Sequence, residues 1–194
     1  MVLGERWRPF DEHAVEYDRW FEKHPGLYRE ELALLSRMMP SWRRGVEVGV
    51  GTGRSAWPLG ITRGLEPSLP MGRMARKRGI EVICGVAESL PFPDRSFDLV
   101  LMVTVNFLLR DVKAAFLEAS RVLSAGGSLL LAFIEREGEL GQKYRRKTDS
   151  WWAGVPTRFY TLPEVILLLE EAGFRDLRVG ALENGFFVVL AGKE

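Results

Sequence analysis

The chain has 194 residues and 27 Lys and Arg against 26 Asp and Glu, a formal net charge of +1. Its 46% hydrophobic content is enough for a sizeable core, which excludes global disorder, and its length suits one domain. The charge balance offers no whole-chain attraction for nucleic acid or an anionic membrane, and one cysteine, Cys84, excludes an internal disulfide framework and a cysteine-rich metal site.

Glu5, Arg6, Arg8, Asp11 and Glu12 open the chain without the apolar stretch of a secretory signal, so a cytoplasmic setting is expected. Phe10, Ala14, Tyr17 and Phe21 fall at i, i+4, i+7 and i+11, which predicts one helix over residues 10–21. His24-Pro25-Gly26 breaks it. A second amphipathic helix is expected over residues 28–39, with Leu32, Leu35 and Met39 on one side and Pro40 ending it. Residues 1–44 thus read as a helical lid ahead of an α/β core in residues 45–194.

The core opens with a short strand, Val46-Glu47-Val48, which runs at once into Gly49-Val50-Gly51-Thr52-Gly53. A short helix should start near Arg54, limited by Pro58. A strand is expected over 63–66. Ser68 caps the next helix and Gly79 closes it. The strand over 80–84 places Cys84 in an apolar, buried setting. Residues 97–103 are almost continuously apolar, as in a strand covered on both faces. The apolar run 99–109 contains Thr104 and Asn106 and is well short of the ~20 residues of a membrane helix. Asp111 starts a helix with Val112, Ala115, Phe116, Ala119 and Val122 as its inner stripe, stopped by Gly126-Gly127. Another buried strand follows over 128–134. Thr161-Leu162-Pro163-Glu164 forms a capping box for a helix ending at Gly173. Strands over 174–181 and 186–191 are joined by Glu183-Asn184-Gly185, a hairpin signal. The alternation predicts an α/β domain whose mostly parallel sheet ends in an antiparallel hairpin.

Three glycines directly after a buried strand let the backbone bend sharply and let a ligand approach the strand's carboxyl end. Their spacing selects among ligands. A dinucleotide fingerprint needs GxGxxG, and counted from Gly49 its third position is Arg54; GxxxxGK[ST] is absent. What stands here is GxGxG preceded by Glu47, whose carboxylate suits a cation better than a pyrophosphate. The alternative is that the glycines only make a tight turn. Glu66, 15 residues after Gly51, ends its strand and can accept from both hydroxyls of a ribose, although the usual spacing of such an acid is ~20.

On these residues the chain resembles the class I S-adenosylmethionine (SAM)-dependent methyltransferases. VEVGVGTGRSA (46–56) resembles their first motif and GLEPS (64–68) their second. GVAESLPFPDRSFDLVLMVTV (85–105) is similar to the run carrying the adenine contacts and fourth strand, and RVLSAGGSLLLA (121–132) to the segment before strand five. RFYTLPEVILLLEEAGF (158–174) matches again, and the nearest branch is methyltransferase type 11, which includes ubiquinone and menaquinone biosynthesis enzymes. The resemblance implies a Rossmann-like, seven-stranded, mostly parallel sheet with helices on both faces, SAM as cofactor and a small-molecule acceptor. It also implies that Gly49, Val50, Gly51 and Gly53 run under the methionine and ribose, with Glu47 near the methionine amino group. Glu66 and Pro67 then meet the ribose, and the backbone near Ala87 meets the adenine. Many relatives carry an acid where Val86 stands; here either Glu88 substitutes for it or the backbone suffices. Val103 and Thr104 lie near the transferred methyl. Tyr17-Asp18-Arg19-Trp20 resembles a segment at the start of this branch, in which Tyr17 and Trp20 shield the methyl and contact the sulfonium; Tyr17 as plain core is the equal alternative.

Methyl transfer is an in-line displacement on a good leaving group, so no catalytic residue is named. Relatives often build the acceptor pocket after strand five, where this chain carries Lys143, Arg145, Arg146 and Lys147, then Trp151-Trp152 and Arg158-Phe159-Tyr160. His13 and His24 have no metal-ligand spacing. The competing readings are a non-catalytic SAM-binding or regulatory protein on the same fold and a nicotinamide-linked oxidoreductase. A nucleic-acid methyltransferase is disfavoured by the charge balance and by Thr104-Val105-Asn106-Phe107, which lacks the prolines of the Asn-Pro-Pro-Tyr type. Three Asn and Gln residues in all, and 21 Arg against 6 Lys, fit a heat-adapted source.

Overall fold

The structure, a computed structural model, describes residues 4–146, 151 and 154–194, with side chains from residue 7 onward. The first helical stretch is two helices rather than one: α1 (Gly4–Glu12) and α2 (Ala14–Lys23). His13 between them, at φ −116°, departs from helical geometry. Pro25 opens α3 (Pro25–Met38) instead of only breaking the chain, because a first-turn proline lacks an N–H that has no helical partner anyway.

Seven strands follow: β1 (Gly45–Val48), β2 (Arg63–Leu65), β3 (Glu81–Ile83), β4 (Phe97–Val103), β5 (Leu123–Ile134), β6 (Phe174–Ala181) and β7 (Phe186–Lys193). Their order in the sheet is β3-β2-β1-β4-β5-β7-β6, parallel except for β7, which runs antiparallel to both neighbours. Side chains alternate across β4. Val100 and Met102 enter one apolar layer with α5 (Val112–Val122) and α7 (Leu162–Glu171), whereas Leu99 and Leu101 enter the other with Leu34 and Leu35 of α3 and Met71 of α4 (Leu69–Lys77). The capping signals hold. Ser68 and Asp111 cap α4 and α5, Thr161 and Glu164 form a complete capping box on α7, and Gly79 and Gly173 sit at φ 87° and 89° just past their helices.

Three further expectations change. Residues 54–60 form turns, not a helix. Trp57 N–H reaches the Gly53 carbonyl at 3.2 Å, but Pro58 has no N–H for the Arg54 carbonyl, which accepts from the Tyr28 hydroxyl instead, at 2.5 Å. Gly126-Gly127 does not stop α5, which ends at Val122; both glycines lie inside the twelve-residue β5, next to a shift of its register against β4. Cys84 is exposed, not buried, because it follows β3, an edge strand that buries only Val82. The polar stretch after β5 also holds a helix, α6 (Glu139–Arg146).

Candidate functional site

A cavity of about 750 Å³ lies at the carboxyl ends of β1, β2 and β4, above the glycine loop. Helices α1, α2 and α3 close it on one side, and Leu140 and Tyr144 of α6 reach it from another. The loop hangs from β2: the Gly49 and Val50 N–H groups both donate to the Leu65 carbonyl, at 2.8 and 3.0 Å. Gly49 (φ 74°) and Gly51 (φ 55°) are left-handed. A Cβ on Gly49 would fall 2.5 Å from Val105, whereas one on Gly51 would have room, with Met71 Cε at 3.4 Å and the Tyr17 hydroxyl at 3.6 Å, so there it is the left-handed backbone that favours glycine.

Glu47, Gly49, Val50, Gly51, Glu66 and Pro67 all line this cavity, as do Tyr17, Trp20, Ala87, Val103 and Thr104. Glu47 is 2% exposed, and its Oε2 has no hydrogen-bond partner. Burial pushes its carboxyl well above the usual range; the Ala56 N–H opposes this and the Glu66 charge adds to it. Glu66 is also buried, yet both its oxygens are engaged. Oε2 accepts the Gly51 N–H at 2.8 Å and Oε1 the Ser68 N–H at 2.9 Å. Burial raises its carboxyl to about 7 against the pull of those two N–H groups. Thr104 is left-handed at φ 52° where β4 ends. The Tyr17 phenol is pushed up by burial and then by Glu66 and Glu47. Trp20 stacks on His24 with centroids 4.6 Å apart.

Two expected ligand residues do other work. Gly53 does not line the cavity: at φ 86° its bare Cα faces Ile80 and Ala75, where a Cβ would sit 2.5 Å from Ile80 Cδ1. Glu88 points away and accepts the Arg110 N–H at 2.8 Å, steadying the approach to α5. Of the basic and aromatic segment after β5, Arg146, Tyr144 and Trp151 reach the cavity, while Lys143 and Arg145 do not. Phe159 stacks on Phe107 at 4.7 Å, Arg158 lies over Tyr160 at 4.9 Å, and Lys147 and Trp152 fall outside the described residues. His13 stacks on Trp151, and no metal-binding cluster occurs among the described residues.

Two acids escaped the sequence reading. Asp18 accepts from Arg54 at 2.9 and 2.7 Å and from Arg78 at 2.9 Å, while Arg54 also reaches Glu22 at 2.9 Å. Burial alone would raise the Asp18 carboxyl; the bonds from Arg54 and Arg78 hold it at about 2. This cluster ties α2 to the loop, and its only sequence sign was an acid on a largely apolar helix face. Glu31 of α3 lines the cavity too, and no donor reaches it among the described residues.

The sheet order departs from the 3-2-1-4-5-6 of dinucleotide folds by inserting an antiparallel β7 between β5 and β6. Residues 46–131 match a family model described as methyltransferase domain. The chain is 40% identical over 169 residues to an uncharacterized protein of Methanocaldococcus jannaschii, covering 87% of this chain and 82% of that protein. An uncharacterized protein of Mycobacterium tuberculosis is 36% identical over 166 residues, 84% of this chain, which spans only 58% of that longer protein. A crystal structure from Thermotoga maritima, described as a SAM-dependent methyltransferase and possible histamine N-methyltransferase, superposes with a TM-score of 0.91. It is 38% identical and covers 97% of this chain and 100% of its own. Fold, motif order and these likenesses agree that the chain belongs to the class I SAM-dependent methyltransferases.

Proposed function

We propose that the cavity binds SAM over the glycine loop and delivers its methyl group to a small-molecule acceptor. The observation that carries this reading is Glu47 Oε2. A buried carboxylate oxygen without a donor is costly, and an ammonium such as that of the methionine part of SAM would satisfy it. Glu66 supports the same reading, because each of its oxygens accepts one backbone N–H and keeps a second lone pair for a ribose hydroxyl. Gly49, Val50, Gly51 and Pro67 would pass beneath the methionine and ribose, Ala87 would offer backbone to the adenine, and Val103 and Thr104 would flank the reacting end. Gly53 and Glu88 would act behind these residues, holding the loop and the wall.

The bound cofactor supplies a methyl group on a sulfonium leaving group. The chain's own part is alignment and exclusion of water. Tyr17 and Trp20 would cover the reacting end with aromatic faces. Residues 1–44 would act as the lid, latched by Asp18 to Arg54 and Arg78. No residue is assigned as a general base.

Calorimetric titration with S-adenosylhomocysteine (SAH), set against NADH, tests the reading. SAH should bind and NADH should not, and Glu66→Ala should weaken SAH by about 1–3 kcal/mol. Preferential NADH binding, or SAH affinity indifferent to Glu66→Ala, would overturn the assignment. SAH release across an acceptor panel separates an enzyme from a protein that only binds SAM.

A further inference from the structure

The cavity has two acidic ends. Glu47 of β1 and Glu66 just after β2 stand at the glycine loop, where the Glu66 charge raises Glu47, whereas Glu31 enters the cavity from α3. Tyr17 feels both groups: after burial, its phenol is raised by Glu66 and Glu47 and then by Tyr144 and Glu31. Tyr144 in turn is pushed up to about 12 by burial and then by Glu31. Glu47 and Glu66 thus line the cavity from the strand ends, whereas Glu31, Tyr17 and Tyr144 line it from the helices α3, α2 and α6, which make up its Glu31 end.

That end has a definite chemistry. The helices bring aromatic rings to the cavity, Phe10 edge-on to Trp151 at 5.2 Å among them, and the Glu31 charge reaches the phenols of Tyr17 and Tyr144. The Glu31 carboxylate is half-buried with no donor among the described residues, and burial, followed by the charge of Glu30, raises it to about 7. The cationic side chains that line the cavity do not serve it. Arg54 is bound by Asp18 and Glu22, and Lys23 and Arg146 are exposed, with no ion pair to Glu31 among the described residues. An anion entering here would face carboxylates; a cation would meet an unpaired carboxylate and π-faces.

We propose that the Glu31 end is the acceptor site and that it takes a cationic amine, whose ammonium is held by the Glu31 carboxylate against the surrounding aromatic rings. The proposal rests on the reading of the opposite end as the SAM site. Glu31 is a binding residue in it, and the ammonium is the handle by which the acceptor is held.

The test titrates the SAH-loaded protein with benzylamine, tyramine and putrescine, and with benzyl alcohol and phenylacetate as neutral and anionic counterparts. At least one amine should bind ten times more tightly than benzyl alcohol, and phenylacetate should bind most weakly. Glu31→Gln should remove that preference while changing SAH affinity less than twofold, and Glu31→Asp should keep part of it. The proposal is overturned if no amine binds, if the alcohol or the carboxylate binds as well as the best amine, or if the preference survives Glu31→Gln. A tenfold loss of SAH affinity in Glu31→Gln also overturns it, since Glu31 would then belong to the SAM end. If the wild-type protein takes up no SAH, the SAM reading itself fails. The amine preference of unliganded wild type against Glu31→Gln then still decides the role of Glu31.

Discussion

Asp18 joins two parts of the chain that share no local pattern. It sits 36 residues from Arg54 and 60 from Arg78, and both guanidiniums converge on its carboxylate. Replacing it with Asn would leave two arginines facing each other with half their acceptor strength gone. Asp18→Asn should therefore cost about 2–3 kcal/mol in urea unfolding, a midpoint change absent if the cluster is only a solvated ion pair. The same long separations explain what the sequence could and could not reveal at this scale. Glu47 and Glu66 were legible because each borders a glycine or strand signal that says where it must point. Asp18 and Glu31 lie on helices whose apolar periodicity marks them only as polar positions, and their partners come from distant segments. Cys84 misled for the opposite reason: its apolar neighbours Val82 and Ile83 imply burial, yet position at the sheet edge leaves Ile83 39% exposed.

Between residue and fold, the glycine loop shows that one pattern can serve two purposes. Gly49 and Gly51 border the cavity, whereas Gly53 makes room for α4 and Ile80. Gly53→Ala should lower stability by about 2–4 kcal/mol, from left-handed strain plus overpacking, while the folded fraction binds SAH within twofold of wild type. A SAH affinity that falls tenfold without a stability change would return Gly53 to the ligand. Elements bounded by caps were readable from the chain, since Ser68, Asp111 and the Thr161–Glu164 box act within three residues of themselves. Elements decided by remote partners were not. The turns at 54–60 depend on Tyr28, the length of β5 depends on its pairing with β4 and β7, and α6 offers only Leu140 and Tyr144 as apolar markers.

For the whole molecule, the buried acids set the response to pH. Glu66 titrates near 7 when folded against 4.5 as a free group, so it holds its proton more tightly in the folded state. Its stabilising share is complete below about pH 4.5 and is lost as pH rises through 7; Glu47 shifts in the same direction. Asp18 runs the other way, with a share present above 3.8 and lost as pH falls through about 2. The melting temperature of the ligand-free protein should thus fall between pH 5 and pH 8, by roughly 4–8 °C for about 2 kcal/mol. On the proposed reading SAH favours the ionised acids, so saturating SAH should restore more at pH 8 than at pH 5. Differential scanning fluorimetry at both pH values checks this; a smaller fall in Glu66→Gln than in wild type ties that share to Glu66, with Glu47 and Glu31 shifted in the same direction carrying the rest.

One contact noted in the fold reaches further. Pro58 leaves the Arg54 carbonyl without a helical donor, and Tyr28 fills the gap from α3, while Asp18 and Glu22 grip the guanidinium of the same residue from α2. Arg54 is thus pinned at its main chain by one helix and at its tip by another. Two helices share one anchor residue beside the glycine loop, so a change at Arg54 is felt by both at once.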